Sequence, residues 1–165
     1  MKAIPLSGRV GQGMVALVDD DLYEQIAAIG KWRTNRSHRA RTWYARNRKH
    51  GLMHKVVYRL ATGMSPQCLD HRDRNGLNNQ VTNLRPATGT LNNANTGVTS
   101  RNRSGFRGVS FFRRDGTWRA SIRHNGEWRH LGYYPGTEAG KIEAARAYNR
   151  VAIEHFGDFA VLNPV

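Results

Sequence analysis

The residues from Cys68 to Asn79 (Cys-Leu-Asp-His-Arg-Asp-Arg-Asn-Gly-Leu-Asn-Asn), continued by Asn83-Leu84-Arg85 and Asn92-Asn93, are crowded with side chains that hold a metal ion or move a proton. An acid and a histidine stand side by side after a short apolar lead. A loop rich in Asn and Gly follows. Hydrolysis of a phosphodiester needs a base for the attacking water and a positive charge for the leaving oxygen. A histidine suits the first task because its pKa lies near neutrality. A divalent cation suits the second, and carboxylate and amide oxygens are the ligands that Mg²⁺ or Mn²⁺ take. Adjacent residues at a strand end diverge, so one of Asp70 and His71 can hold metal while the other faces water. A calcium loop is excluded: its first position would fall on His71 and its twelfth on Thr82, where acids are required. A zinc finger lacks its cysteines, since Cys68 stands alone.

The elements that must position these groups follow from periodicity. Gln67–His71 reads as a strand delivering Asp70 and His71, residues 73–82 as a loop, and Asn83-Leu84-Arg85 as a second strand stopped by Pro86. Thr88 caps a helix that carries Leu91, Asn92 and Asn93 and ends near Gly97. This is a ββα unit with a small core, so the preceding segment must pack on it. There, Met14–Val18 reads as a buried strand after a Gly-rich turn. Asp19 to Asp21 open a helix whose buried face is Leu22, Ile26 and Ile29, closed by Gly30. Trp32 and Trp43-Tyr44-Ala45 mark two strands amid Arg33, Arg36, Arg39, Arg41, Arg46, Arg48 and Lys49. That basic ribbon is a phosphate-binding surface or a solvated hairpin; the pattern leaves both open. Residues 53–62 read as a helix with Met53, Val56, Val57 and Leu60 on one side and Gly63 as cap. His54 and Tyr58 share a neighbouring face.

Residues 96–105, polar, basic and rich in Gly and Ser, read as a linker. Beyond it the period becomes two. Residues 106–112, 117–123 and 128–134 read as three strands joined at Asp115-Gly116 and Asn125-Gly126. Trp118, Ala120 and Ile122 would face a core, and Arg119, Ser121 and Arg123 the other way. Thr137 caps a helix to about Phe156, with Ala144, Ala145, Tyr148, Ala152 and Phe156 as its buried stripe. The 165 residues carry a formal net charge of +14, with 15 Lys and Arg against 6 Asp and Glu up to residue 100 and 11 against 6 beyond it. A basic excess spread along the chain favours a polyanionic partner. Neither a membrane-surface helix nor a spanning or signal segment is evident. One cysteine in an apolar setting reads as a small buried hydrophobe and implies a reducing, cytoplasmic compartment.

The order Asp-His, Asn, Asn resembles the HNH nuclease motif, and within it the phage-type homing endonucleases in which an Asn replaces the last His. That resemblance implies a ββα-metal (His-Me finger) module in an α+β chain, with His71 as general base and Asp70 as metal ligand. It makes Asn83 the middle Asn that ties the loop and helps orient the histidine, and Asn92 the second metal ligand. Asn93 and Asn95 are alternatives if the register shifts. His54 lies in a Met-His-Lys element similar to one that precedes the site in that family, which implies a contact with DNA or with the site, and it is grouped here with candidate DNA contacts. The second half resembles the plant ethylene-response-factor (Apetala-type) DNA-binding domain. The resemblance rests on Phe-Arg-Gly-Val, Trp-Arg-Ala-Ser-Ile-Arg, Leu-Gly-Tyr-Tyr, Ala-Ala-Arg-Ala-Tyr-Asn and Ala-Val-Leu-Asn. It implies a three-stranded antiparallel sheet packed on one helix, with Arg107, Arg119, Arg123, Trp128 and His130 toward base edges and Arg113 and Arg114 toward phosphate. Ser110 and Phe112 replace arginines of the plant domain, so its target sequence is not carried over.

The expectation is therefore a metal-dependent (Mg²⁺ or Mn²⁺) homing endonuclease acting on double-stranded DNA in a phage-infected bacterial host. It would have a nuclease domain at 1–95, a linker at 96–105 and a DNA-binding domain at 106–165. One site per chain implies nicking by a monomer; a homodimer would cut both strands. A DNA-binding regulator with an inactive nuclease site is the alternative, and a binder of structured RNA a more distant one.

Overall fold

The computed structural model describes residues 1–36 and 42–165. Arg39 and Arg41 of the basic ribbon lie outside the described residues. The chain is a mixed α+β protein that divides into two compact units, Met1–Thr88 and Gly89–Val165.

The first unit is built on a five-stranded sheet, in the order β2-β1-β3-β4-β5. Its strands are β1 (Lys2–Ser7), β2 (Val15–Val18), β3 (Trp32–Asn35), β4 (Tyr44–Asn47) and β5 (Gly51–Leu52). β1 and β3 run parallel and the other pairs antiparallel. β1 was not expected from the sequence. Its buried face consists of Ile4 and Leu6 alone, too short an alternation to mark a strand. Helices α1 (Tyr23–Ala28) and α2 (Met53–Thr62) and a two-stranded ribbon, β6 (Leu69–His71) with β7 (Leu84–Pro86), complete the unit. One core joins them: Ile4, Leu6, Ala16, Val18, Ile26, Trp32, Met53, Val57, Leu69 and Leu84 are among its buried members. Trp32 is buried whole because its indole N–H donates to the Ile26 carbonyl at 3.0 Å, leaving no polar atom unpaid by a bond. Gly63 ends α2 in the left-handed conformation, φ 72°, as expected. Leu60 departs from expectation: it is 42% exposed, and the buried face of α2 runs through Met53, His54, Val56, Val57 and Tyr58. Cys68 is half-buried.

The second unit begins with the short helix α3 (Gly89–Ala94). An antiparallel sheet follows, in the order β10-β9-β8, formed by β8 (Val109–Phe112), β9 (Thr117–His124) and β10 (Glu127–Tyr134). Helix α4 (Glu138–Phe156) covers one face of it. The Thr137 hydroxyl accepts from the Gly140 N–H at 3.2 Å, the expected N-cap. Ala144, Ala145, Tyr148, Ala152 and Phe156 are all buried. Alanines let helix and sheet approach closely, and Gly108 does the same for Tyr148: a Cβ there would lie 2.1 Å from the ring.

The boundary between units falls before α3, whereas the sequence placed a linker at 96–105. That stretch belongs to the second unit because its polar side chains fold it. Ser104 is buried, and its hydroxyl lies 2.8 Å from the Val109 carbonyl and 2.9 Å from that of Phe106. The Asn102 side chain accepts from Gly105 N–H and donates to Phe106 O.

Candidate active site

β6 and β7 set Asp70 opposite Arg85 and His71 opposite Leu84. Asp70 and His71 are both buried. The Arg85 guanidinium donates to Asp70 Oδ2 through Nε at 2.9 Å and a terminal nitrogen at 2.8 Å. Both partners are buried, so the charges compensate in a setting where either alone would be costly. Nothing local in the sequence marked Arg85; only the antiparallel register brings it to Asp70.

His71 sits in a ring cluster. Its ring centroid is 5.0 Å from that of His54, edge-on at 86°, and 5.8 Å from that of Tyr44. His54 and Tyr44 are 5.7 Å apart. Burial lowers the His71 pKa below the usual histidine value, against upward pulls from Asn79, Asp73 and Asp70. His54 is lowered to about 3, chiefly by burial and then by His71 and Lys55. Both imidazoles are therefore neutral at neutral pH. Burial, then Asp70 and Cys68, raise the Tyr44 phenol. His54 was grouped in sequence with DNA contacts; it is instead 5% exposed and packs against His71. Its Nδ1 has no hydrogen-bond partner among the described residues.

Asn79 was not singled out by the sequence. It is fully buried, with Oδ1 3.5 Å from His71 Nε2, at the long end for a hydrogen bond. Its Nδ2 donates to Leu77 O at 3.1 Å and approaches Met53 Sδ at 3.4 Å, which fixes the amide so that its oxygen faces the histidine. One Asn of a doublet gives no local sign of burial.

The loop from Arg72 to Asn83 is held by amides. Asn83 Nδ2 donates to Asp73 Oδ1 at 3.0 Å and to Asn78 O at 2.8 Å, and its Oδ1 accepts from Asp73 N–H at 3.1 Å. Asp73 also accepts from Asn75 N–H and Asn78 Nδ2. Burial pulls the Asp73 pKa up, but these bonds outweigh it and hold the carboxyl below its usual value. The first unit's sheet grips the same loop. Leu17 exchanges backbone bonds with Leu77 and Asn79, and Asp19 Oδ2 accepts from Val81 N–H at 2.7 Å. Asp19 therefore ties down the loop as well as preceding α1. Gly76 passes under Tyr44, where a Cβ would lie 2.7 Å from the ring and 2.5 Å from Trp43 O.

Asn92 lies on α3 in the second unit and is exposed, as is Asn93; Asn95 is buried. Among the described residues there is no group of three or more His, Cys, Asp or Glu that could hold a metal ion. The donors at hand are the carboxylates of Asp70 and Asp73 and amide oxygens. That chemistry fits a hard cation such as Mg²⁺ or Mn²⁺, which keeps waters and binds substrate phosphate, and does not fit zinc.

Two surfaces carry positive charge. On the first unit Arg33 and Arg46 are exposed and directly opposite each other on β3 and β4. Like charges in that relation repel, and a polyanion relieves them. On the second unit the sheet face away from α4 carries Arg119, Ser121 and Arg123, with Trp128 opposite Arg123 and His130 opposite Ser121. Trp128 is 70% exposed. Arg119, Ser121, Trp128 and His130 line a hollow of about 490 Å³, and Arg119 Nε has no hydrogen-bond partner among the described residues. Arg113 is exposed and lines a second hollow with Arg101 and Arg103. Arg114 is exposed and paired with Asp115 at 2.7 Å. Arg107 departs from the group: its guanidinium donates to the carbonyls of Asn93, Ala94 and Thr96 rather than standing on the open face.

The chain is 36% identical over 116 residues to an uncharacterized HNH endonuclease of Acanthamoeba polyphaga mimivirus. The match takes in 68% of this chain, which spans 57% of the length of that relative. No family model matches the chain, and no solved structure matches it. No helix among the described residues is long and apolar enough to cross a membrane.

Proposed function

We propose that this protein is an HNH-type, metal-dependent endonuclease of homing type that hydrolyses phosphodiester bonds of double-stranded DNA. The observation that carries the reading is the buried, neutral His71 beside Asp70 at the end of β6, with its following loop pinned by Asn83. The mimiviral relative's name supports the same class.

His71 is the general base. Nε2 faces the Asn79 Oδ1 acceptor, and the ring takes a proton from the attacking water. Because the ring is neutral at neutral pH, no prior deprotonation is needed. Asn79, Tyr44 and His54 fix the ring's plane. Asn83 keeps the loop closed, so that Asn79 stays in place. Asp70 would hold a divalent cation, Mg²⁺ or Mn²⁺, which when bound supplies Lewis-acid stabilisation of the leaving oxygen. Arg85 holds the Asp70 carboxylate in orientation. The open sheet face, through Arg119, Arg123, Trp128 and His130, engages the major groove, and Arg113 and Arg114 contact phosphate. One site per chain cuts one strand per engagement, so a monomer nicks.

The test is cleavage of DNA that the protein binds specifically, with Mg²⁺, Mn²⁺ or EDTA, beside His71→Ala. Metal-dependent nicks that vanish in His71→Ala while binding persists support the proposal. A second reading, a DNA-binding regulator with an inactive nuclease site, draws on the buried Arg85 already neutralising Asp70. Specific binding without cleavage under any of these metals decides for it.

A further inference from the structure

Alternation along β3 and β4 gives this part of the first unit's sheet two faces. Trp32 and Ala45 are buried in the core, so Arg33, Asn35, Tyr44 and Arg46 belong to the other face. The register sets Arg33 directly opposite Arg46 and Asn35 opposite Tyr44. Arg46 is also paired with Leu52 of β5, so it stands within the sheet and not at its edge. Both arginines are exposed, and neither is paired with a carboxylate among the described residues. Like charges directly opposite each other weaken a sheet, and a bound anion offsets that repulsion. The strip they form leads into the candidate site. Two residues from Arg46, about 7 Å along the strand, Tyr44 joins the ring cluster, 5.7 Å from His54 and 5.8 Å from His71 between centroids. The Tyr44 ring is half-buried and is backed by Gly76, where a Cβ would not fit. Gly76 N–H donates to Thr42 Oγ1 at 3.0 Å, which ties the site loop to the residues just ahead of β4. One face therefore carries two unneutralised cations and, beside them, the ring that touches the histidine.

We propose that this face of β3 and β4 is a phosphate-binding subsite for the strand to be cut: Arg33 and Arg46 hold backbone phosphates beside the scissile one, and Tyr44 is the surface over which that strand reaches His71. The occupant is the sugar-phosphate backbone of DNA. A guanidinium forks onto phosphate oxygens and reads no base, so the subsite sets where the strand lies at the histidine without choosing its sequence. The assignment to the cut strand rests on the nuclease reading; phosphate binding by the arginine pair does not.

The experiment uses the full chain in EDTA on duplex DNA that it binds specifically, and compares wild type with Arg33→Gln, Arg46→Gln and the double variant. Each single variant should lower the slope of log affinity against log salt by about 1, and the double variant by about 2. The unfolding midpoint should hold or rise, because the facing like charges are gone, so weaker binding is not weaker folding. The same duplex is then made with single neutral methylphosphonates. A phosphate held by Arg46 is one whose neutralisation weakens wild type about fivefold and Arg46→Gln far less. Such phosphates should lie within about four nucleotides of the metal-dependent nick, each nucleotide advancing the strand about 3.4 Å. Coupling only at phosphates farther from the nick would overturn the strip as the route to His71. An unchanged salt slope with no coupled phosphate would overturn it as a DNA contact altogether. If wild type binds DNA but never nicks it, the nuclease reading falls and takes the cut-strand assignment with it, while slope and coupling still decide whether the pair holds phosphate.

Discussion

The loop around His71 and the open sheet face of the second unit are both polar, but they spend their polarity differently. In the loop, the side chains of Asn79, Asn83, Asp73 and Asp70 are committed to partners inside the fold. On the sheet, Trp128 and His130 are exposed. The first arrangement suits chemistry, which needs groups fixed before substrate arrives. The second suits recognition of a polyanion, where donors must be left over for the partner. Two basic, Asn- and Arg-rich stretches thus separate by whether their side chains are already satisfied.

That contrast can be broken first at Asp70. Arg85→Leu strips a buried carboxylate of its partner and should destabilise the first unit by about 3–5 kcal/mol, measured by denaturant unfolding. If the sheet face is the adaptable one, Arg119→Ala should leave the unfolding midpoint nearly unchanged. Next, His71→Ala should lower the cleavage rate about 10²–10⁴-fold with DNA affinity retained. Equal loss of affinity would place His71 among the binding groups instead. Asn83→Ala removes three loop bonds and should cost about 1–3 kcal/mol of stability, with cleavage falling further than affinity. Arg119→Ala should weaken specific DNA binding by about 1–3 kcal/mol, read by titration at fixed salt. A further effect is on pH dependence. His54 is lowered from 6.5 to about 3 in the fold, so below pH 6.5 the unfolded chain binds the extra proton. Stability should be full above about pH 6.5 and fall as pH drops toward 3, by at most about 1.4 kcal/mol per unit. His54→Phe, which keeps a ring there, should flatten that slope.

Local pattern reached far into this chain because its elements are marked at their ends. Gly63 closes α2, Thr137 opens α4, and Asp115-Gly116 and Asn125-Gly126 turn the second sheet; each needs only a few neighbours to act. The Asp-His pair, the Asn83 tie and the alternation of β9 were legible for the same reason. The sequence could not reveal Arg85 on Asp70, Asn79 and Tyr44 on His71, or Arg107 on the end of α3. Arg85 is fifteen residues from its partner and Arg107 fourteen from Asn93, and Tyr44 reaches His71 from another sheet. An arginine's type says that it must donate, and a buried asparagine's that it must be satisfied. Which acceptor each one finds is fixed only when strand register and helix packing bring distant backbone together, and that is a property of the fold as a whole.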